Sequence, residues 1–244
     1  MDFKISNPLH IFAGLLVGLT VVLLVVSPIF SFIGYFPTSE DIVLTETLIL
    51  FSALTAIILL VGSPLLWYAF VNSFSPPKIL EHLKIDFKSI SQAVFWAIIA
   101  IALMYSILIG VGIVLTLTGY ASNEITNVEE IASNLSIGSI IFITVFQSSS
   151  EEIFFRGFLF DKLEKESSQY AALMITATLF GIAHLSYGKI YPAVMTLVFG
   201  LILGWVVLKS KNLLSAIFAH ILYNGLSFAL FFIVQTYNVQ AIMI

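Results

Sequence analysis

The sequence predicts an all-α fold: a polytopic bundle of about seven (seven to eight) membrane-spanning helices. Three observations predict it. Of 244 residues, 59% are hydrophobic and only 10% charged, whereas a soluble domain carries roughly 25% charged residues. The mean hydropathy is +1.07. The apolar residues gather into runs of about 20, the length that crosses a bilayer as a helix. There is no cysteine, so disulfide frameworks and thiolate chemistry are out of reach. The net charge of −4 is small, and no basic patch suits nucleic acid as a partner. No internal repeat, low-complexity tract or second domain stands out, so residues 1–244 read as one integral membrane domain.

The elements follow in order. Segment one, 9–33, comes after a single lysine, Lys4, and no small-residue cleavage site; it reads as a retained helix. Segment two, 42–71, contains Gly62-Ser63-Pro64, where proline removes a helix hydrogen bond and is expected to tilt or break the span. The polar stretch 72–89 holds Pro76, Pro77 and three lysines. Its Ile79, Leu80, Leu83 and Ile85 are placed for a short amphipathic helix on the membrane interface. Segment three is 90–117, followed by an acidic loop over 119–135. Segment four is 137–160. Segment five, 170–186, is short for a span. Segments six and seven are 190–208 and 213–234, and a ten-residue tail follows.

Lysines orient this topology. With the N-terminus inside, Lys4, Lys78, Lys84, Lys88, Lys162, Lys165, Lys209 and Lys211 all fall on the inner side, and only Lys189 falls outside. That bias is the positive-inside pattern. The expected location is a membrane with a cytoplasmic N-terminus. The small size and lack of extra domains suggest a prokaryotic plasma membrane.

Segment four carries Gln147-Ser148-Ser149-Ser150-Glu151-Glu152-Ile153-Phe154-Phe155-Arg156-Gly157. Two carboxylates and a guanidinium thus lie inside an apolar span, where each costs about 2.5–3.5 kcal/mol on insertion scales. Glu152 and Arg156 are four apart and share a helix face, so they are expected to pair. Glu151 is rotated by about 100° from Glu152 and is expected to be free. The three serines read as small packing residues, and Glu46 as interfacial. Segment five carries Phe180 and His184, again four apart; segment seven carries His220 and Asn224 at the same spacing. With about 1.5 Å of rise per residue, Glu151 lies ~14 Å from the inner side, His220 ~10 Å and His184 ~21 Å. All three are within reach of one layer. A carboxylate in low dielectric suits a general base, and an amide with an imidazole N–H can hold a developing oxyanion.

Glu-Glu-x-x-x-Arg at 151–156, Phe-x-x-x-His at 180–184 and His-x-x-x-Asn at 220–224, in that order on three membrane segments, resemble the CPBP family. These are the CAAX-protease and bacteriocin-processing intramembrane proteases, also called Abi or Rce1-like. The resemblance covers roughly 137–230. It implies a membrane endopeptidase in which Glu151, as general base, and His184 hold the attacking water. His220 and Asn224 form the oxyanion hole, and Glu152, Arg156 and Phe180 support them. The expected substrate is a prenylated CAAX-type protein or a bacteriocin-like peptide, met at the lipid. The family carries a metalloprotease label, and Glu151, His184 and His220 would suffice for a catalytic zinc; a metal-independent route fits the same residues and is slightly favoured.

Other classes fit less well. His-Glu-x-x-His is absent, and with it the zinc site of site-2-type proteases. Gly-x-Gly-Asp is absent too, and Asp41 and Asp161 sit at span boundaries, which argues against an aspartyl type. No rhomboid-like serine and histidine pair is evident. Buried ionisable groups also suit a proton-coupled transporter or a non-catalytic scaffold. Transporters, however, often show repeated halves, and here the buried charges lie in the second half alone.

Overall fold

Prolines shape the first two helices of the computed structural model, which describes residues 3–37, 45–119 and 132–237. Helix α1 (Pro8–Phe32) begins at an Asn7 cap and contains a wide π turn, Val22–Val26, just before Pro28. In a regular helix the Pro28 ring would strike the carbonyl of Leu24; the widened turn lets the helix run through. Helix α2 (Glu46–Val71) keeps Pro64 inside it and widens immediately afterwards, over Trp67–Val71. The break expected at 62–64 is therefore a local widening. The start of the expected second segment with Asp41, most of the acidic loop and the last seven residues lie outside the described residues.

Helix α3 (Pro76–His82) differs from expectation. Ile79 and the following Leu83 are buried, 8% and 2% exposed, and join the core, while Leu80 remains exposed. Their apolar face packs on protein instead of lipid. Helix α4 (Ile90–Leu117) buries a stripe of Ala93, Ala97, Ala100 and Met104. Small residues at this spacing let two more helices, α7 (Ile190–Ser210) and α8 (Leu214–Tyr237), approach it closely.

Helix α5 is continuous over 137–166, alternating α and π turns, and starts at a Ser136 cap. It packs against α2, α8 and α6 (Gln169–Ala183). Among the described residues, α1, α2, α4, α6 together with the 3-10 turn that follows it (Gln169–Tyr187), α7 and α8 are long and apolar enough to cross a membrane. The seventh expected span is α5, whose Gln147, three serines and two glutamates lower its hydropathy. Glu46 does more than sit at an interface: it accepts from Ser136 N at 2.9 Å and from the Ser139 hydroxyl, tying the start of α2 to the start of α5.

The lysine-bearing end is held by two clusters. Asp161 accepts from Tyr68 at 2.9 Å and Lys165 at 2.8 Å and lies 3.3 Å from His82, joining α2, α3 and α5. Asn212, between α7 and α8, donates to Asp86 O at 2.7 Å and Ser89 Oγ at 3.0 Å. The Asp86 carboxylate accepts from Lys88 N and the Ser89 hydroxyl, which hold it below the usual carboxylate range. Residues 83–89 thus cap the α7–α8 connection.

Helix α6 ends in a tight 3-10 turn, His184–Tyr187, which rests on the last turns of α1. Its partner α7 comes very near: a Cβ at Gly181 would stand 2.8 Å from both Ala193 O and Leu197 Cβ. Gly181→Ala is therefore expected to destabilise the protein by about 1–3 kcal/mol through overpacking. Thermal unfolding in detergent checks this effect.

Candidate active site

Helical rotation separates the two adjacent carboxylates of α5. Glu152 is 0% and Arg156 1% exposed, and Arg156 Nη1 donates to Glu152 Oε1 at 2.8 Å. The expected pair is present. The guanidinium lies 4.2 Å from the centroid of the Phe180 ring, a cation–π stack on α6. On its other side a Cβ at Gly200 would stand 2.9 Å from Arg156 Nη2, so the absence of a side chain on α7 admits the arginine.

Glu151 stands at the margin of this packing, its side chain 14% exposed. It is not free, as the sequence suggested: Gln147 Nε2 donates to its Oε1 at 3.2 Å. The four-residue spacing of Gln147 and Glu151 was the available signal. Glu151 Oε2 lies 3.9 Å from Nε2 of His220, and His220 Nδ1 lies 2.9 Å from Glu152 Oε1. One imidazole on α8 therefore bridges both carboxylates of α5.

His184 closes α6, with Nδ1 2.8 Å from Phe180 O, which fixes the ring. The Phe180 ring packs edge-on against both imidazoles, with centroids 4.9 Å from His184 and 5.9 Å from His220. Asn224, one turn beyond His220, donates Nδ2 to Ser148 Oγ at 2.9 Å. Ser148 is buried, as a packing residue would be, but it also holds the amide; with 76 positions between the two, no local signal marks the pair. Tyr187 was not singled out either. Its ring lies 5.6 Å from that of His184.

These residues share one layer because the helix ends differ from expectation. Helix α5 runs to Glu166 instead of Phe160, so Glu151 is fifteen residues, about 22 Å, from its lysine-bearing end. His184 is the same distance from Gln169, the start of α6. His220 is only six residues into α8, but the start of α8 is itself sunk beneath the 83–89 cap, where Leu213 and Ser215 are fully buried.

Both imidazoles have Nδ1 engaged and, among the described residues, Nε2 without a hydrogen bond, the pattern of metal-ligating histidines. Yet among the described residues no three His, Asp or Glu side chains are arranged to hold one ion. Alongside the site, an apolar groove of about 330 Å³ runs between α5 and α8, lined by Ile137, Ile140, Thr144, Gly225, Phe228 and Phe232 among others. Thr144 is one turn before Ser148, and Gly225 follows Asn224.

No curated protein and no solved structure matches the chain. Residues 133–226 match the family model described as type II CAAX prenyl endopeptidase, Rce1-like. The match begins just before α5 and ends just beyond Asn224, so it takes in all three motifs and every side chain of the cluster. Over residues 133–226 the chain is thus similar to the Rce1-like family of CAAX-type proteases.

Proposed function

We propose that the protein is a single-domain intramembrane endopeptidase, with residues 137–230 as its catalytic core, that hydrolyses a peptide bond of a membrane-associated substrate. The observation that carries this reading is the 3.9 Å approach of Glu151 Oε2 to His220 Nε2, with the Phe180 ring packed edge-on against both His184 and His220. A water held by Glu151 and His184 adds its oxygen to the scissile carbonyl carbon. Glu151 takes the water's proton and passes it to the amine that leaves as the C–N bond breaks. The carbonyl oxygen, now negative, is held by Asn224 and His220. Asn224 Nδ2 carries two hydrogens, so one stays on Ser148 while the other meets the oxyanion.

The apolar groove beside Asn224 supports a substrate with an apolar segment, either a prenylated CAAX-type protein or a bacteriocin-like peptide. The lysine bias supports a cytoplasmic N-terminus, in a prokaryotic plasma membrane. The test compares the membrane proteomes of cells carrying wild-type or Glu151→Gln protein. One or more membrane-associated proteins or peptides should be shortened only with the wild type. Identical proteomes would contradict the proposal.

A further inference from the structure

The bond between His220 and Glu152 has a consequence beyond the Glu152–Arg156 pair. A carboxylate paired with an arginine offers acceptors and no donor. Glu152 Oε1 already accepts from Arg156 Nη1 at 2.8 Å, and His220 Nδ1 lies 2.9 Å from the same atom. The hydrogen in that second bond must therefore sit on Nδ1. Aqueous imidazole has both ring nitrogens open to solvent; here one is sealed against a fully buried carboxylate. The other, Nε2, is turned to the half-open side, 3.9 Å from Glu151 Oε2. The edge-on Phe180 ring limits rotation of the imidazole from the side, with centroids 5.9 Å apart.

We infer that Glu152 is a positioning residue for His220: it fixes the ring through Nδ1–H, and the ring meets the oxyanion as the imidazolium, with its second hydrogen on Nε2 turned toward substrate. Arg156 then serves His220 indirectly, by pinning Glu152. The inference rests on the proposed peptidase reading for what Nε2 does, though not for how the ring is held. It also separates two roles that a single substitution confounds. Removing Glu152 alone strands Arg156, and any loss of activity would then have two explanations.

A paired replacement separates them. In the Glu152→Leu, Arg156→Leu double variant no charge is left buried, and apolar replacement of a buried ion pair is commonly tolerated. If Glu152 serves only to neutralise Arg156, that variant should work normally. If Glu152 positions His220, the variant should accumulate folded while kcat falls by about 100-fold, the cost of a displaced catalytic group, and KM stays within about threefold. The assay uses an internally quenched farnesylated CAAX peptide in liposomes. Glu152→Gln is the conservative variant. Its amide oxygen can replace Oε1 as acceptor from both Arg156 and His220, and its NH2 falls where Oε2 has no hydrogen-bond partner among the described residues; loss of the counter-charge of Arg156 should lower folded yield, but kcat per folded molecule should stay within about fivefold of wild type.

A spectroscopic measurement keeps the proposal testable even where the double variant fails to fold. With histidines labelled with nitrogen-15, His220 (assigned by its loss in His220→Asn) should show a protonated Nδ1 in the wild type and in Glu152→Gln. A bare Nδ1, a double variant with kcat within about threefold of wild type, or a Glu152→Gln variant as impaired as the double would each overturn the proposal. A protonated Nδ1 in a wild type that cleaves nothing would sink the peptidase reading and leave the positioning of His220 standing.

Discussion

Glu151→Gln is expected to lower kcat for peptide cleavage by about 10³-fold while leaving the folded protein unchanged. The magnitude lies within the 10²–10⁴-fold typical of a positioned general base. A carboxamide has nearly the same shape but cannot accept the water's proton. The fold should tolerate it because Glu151 lies at the margin of the packing, 14% exposed, with Gln147 as its hydrogen-bonding neighbour one turn away. Unfolding free energy should stay within about 0.5 kcal/mol of wild type, as for a substitution outside the core. Kinetics in liposomes and thermal unfolding of the same preparation check both halves. A variant with more than about a tenth of wild-type kcat would remove Glu151 from the role of base.

Arg156→Ala should do the opposite, acting on folding first. It deletes the 2.8 Å bond to Glu152 and the stack on Phe180, and it leaves a 0% exposed carboxylate with His220 as its remaining neighbour. Breaking a buried pair by removing one partner costs about 3–5 kcal/mol. The cavity left on α5 adds to this, since the space vacated against Gly200 and Phe180 cannot close around rigid backbone. The expected result is a sharp fall in folded yield and in thermal stability. A normal yield with an unchanged melting temperature would show that the pair is dispensable.

Much of this arrangement was legible in the sequence, and the parts that were not share a cause. Four-residue spacing is read locally on a helix, so Glu152 with Arg156, Phe180 with His184, and His220 with Asn224 could be grouped before any fold was known. Apolar length marked six spans, and α4 falls on the residues expected for it. What escaped depends on contacts between distant segments. Asp161 reads as the polar end of a span, but its carboxylate is taken in by Tyr68, His82 and Lys165 and the helix continues. Ile79 and Leu83 have the spacing of a lipid-facing stripe, and only the neighbouring helices make that stripe face protein. Ser148 and Asn224 meet because α5 and α8 pack together. Glu152 looked like the structural member of its pair because its second partner, His220, lies 68 positions away.

The account depends on side chains from α5, α6 and α8 acting on a single reacting water. The most direct test is a kinetic cycle of Glu151→Gln, His184→Asn and the double variant, each reconstituted in liposomes with the same quenched peptide. Residues that act as a unit are grossly non-additive in kcat. With single losses of about 10³-fold for Glu151→Gln and about 10²-fold for His184→Asn, the double variant is predicted to lose no more than about 10³-fold. A double loss equal to the product of the two, about 10⁵-fold, would mean that Glu151 and His184 act independently and would contradict the shared pocket.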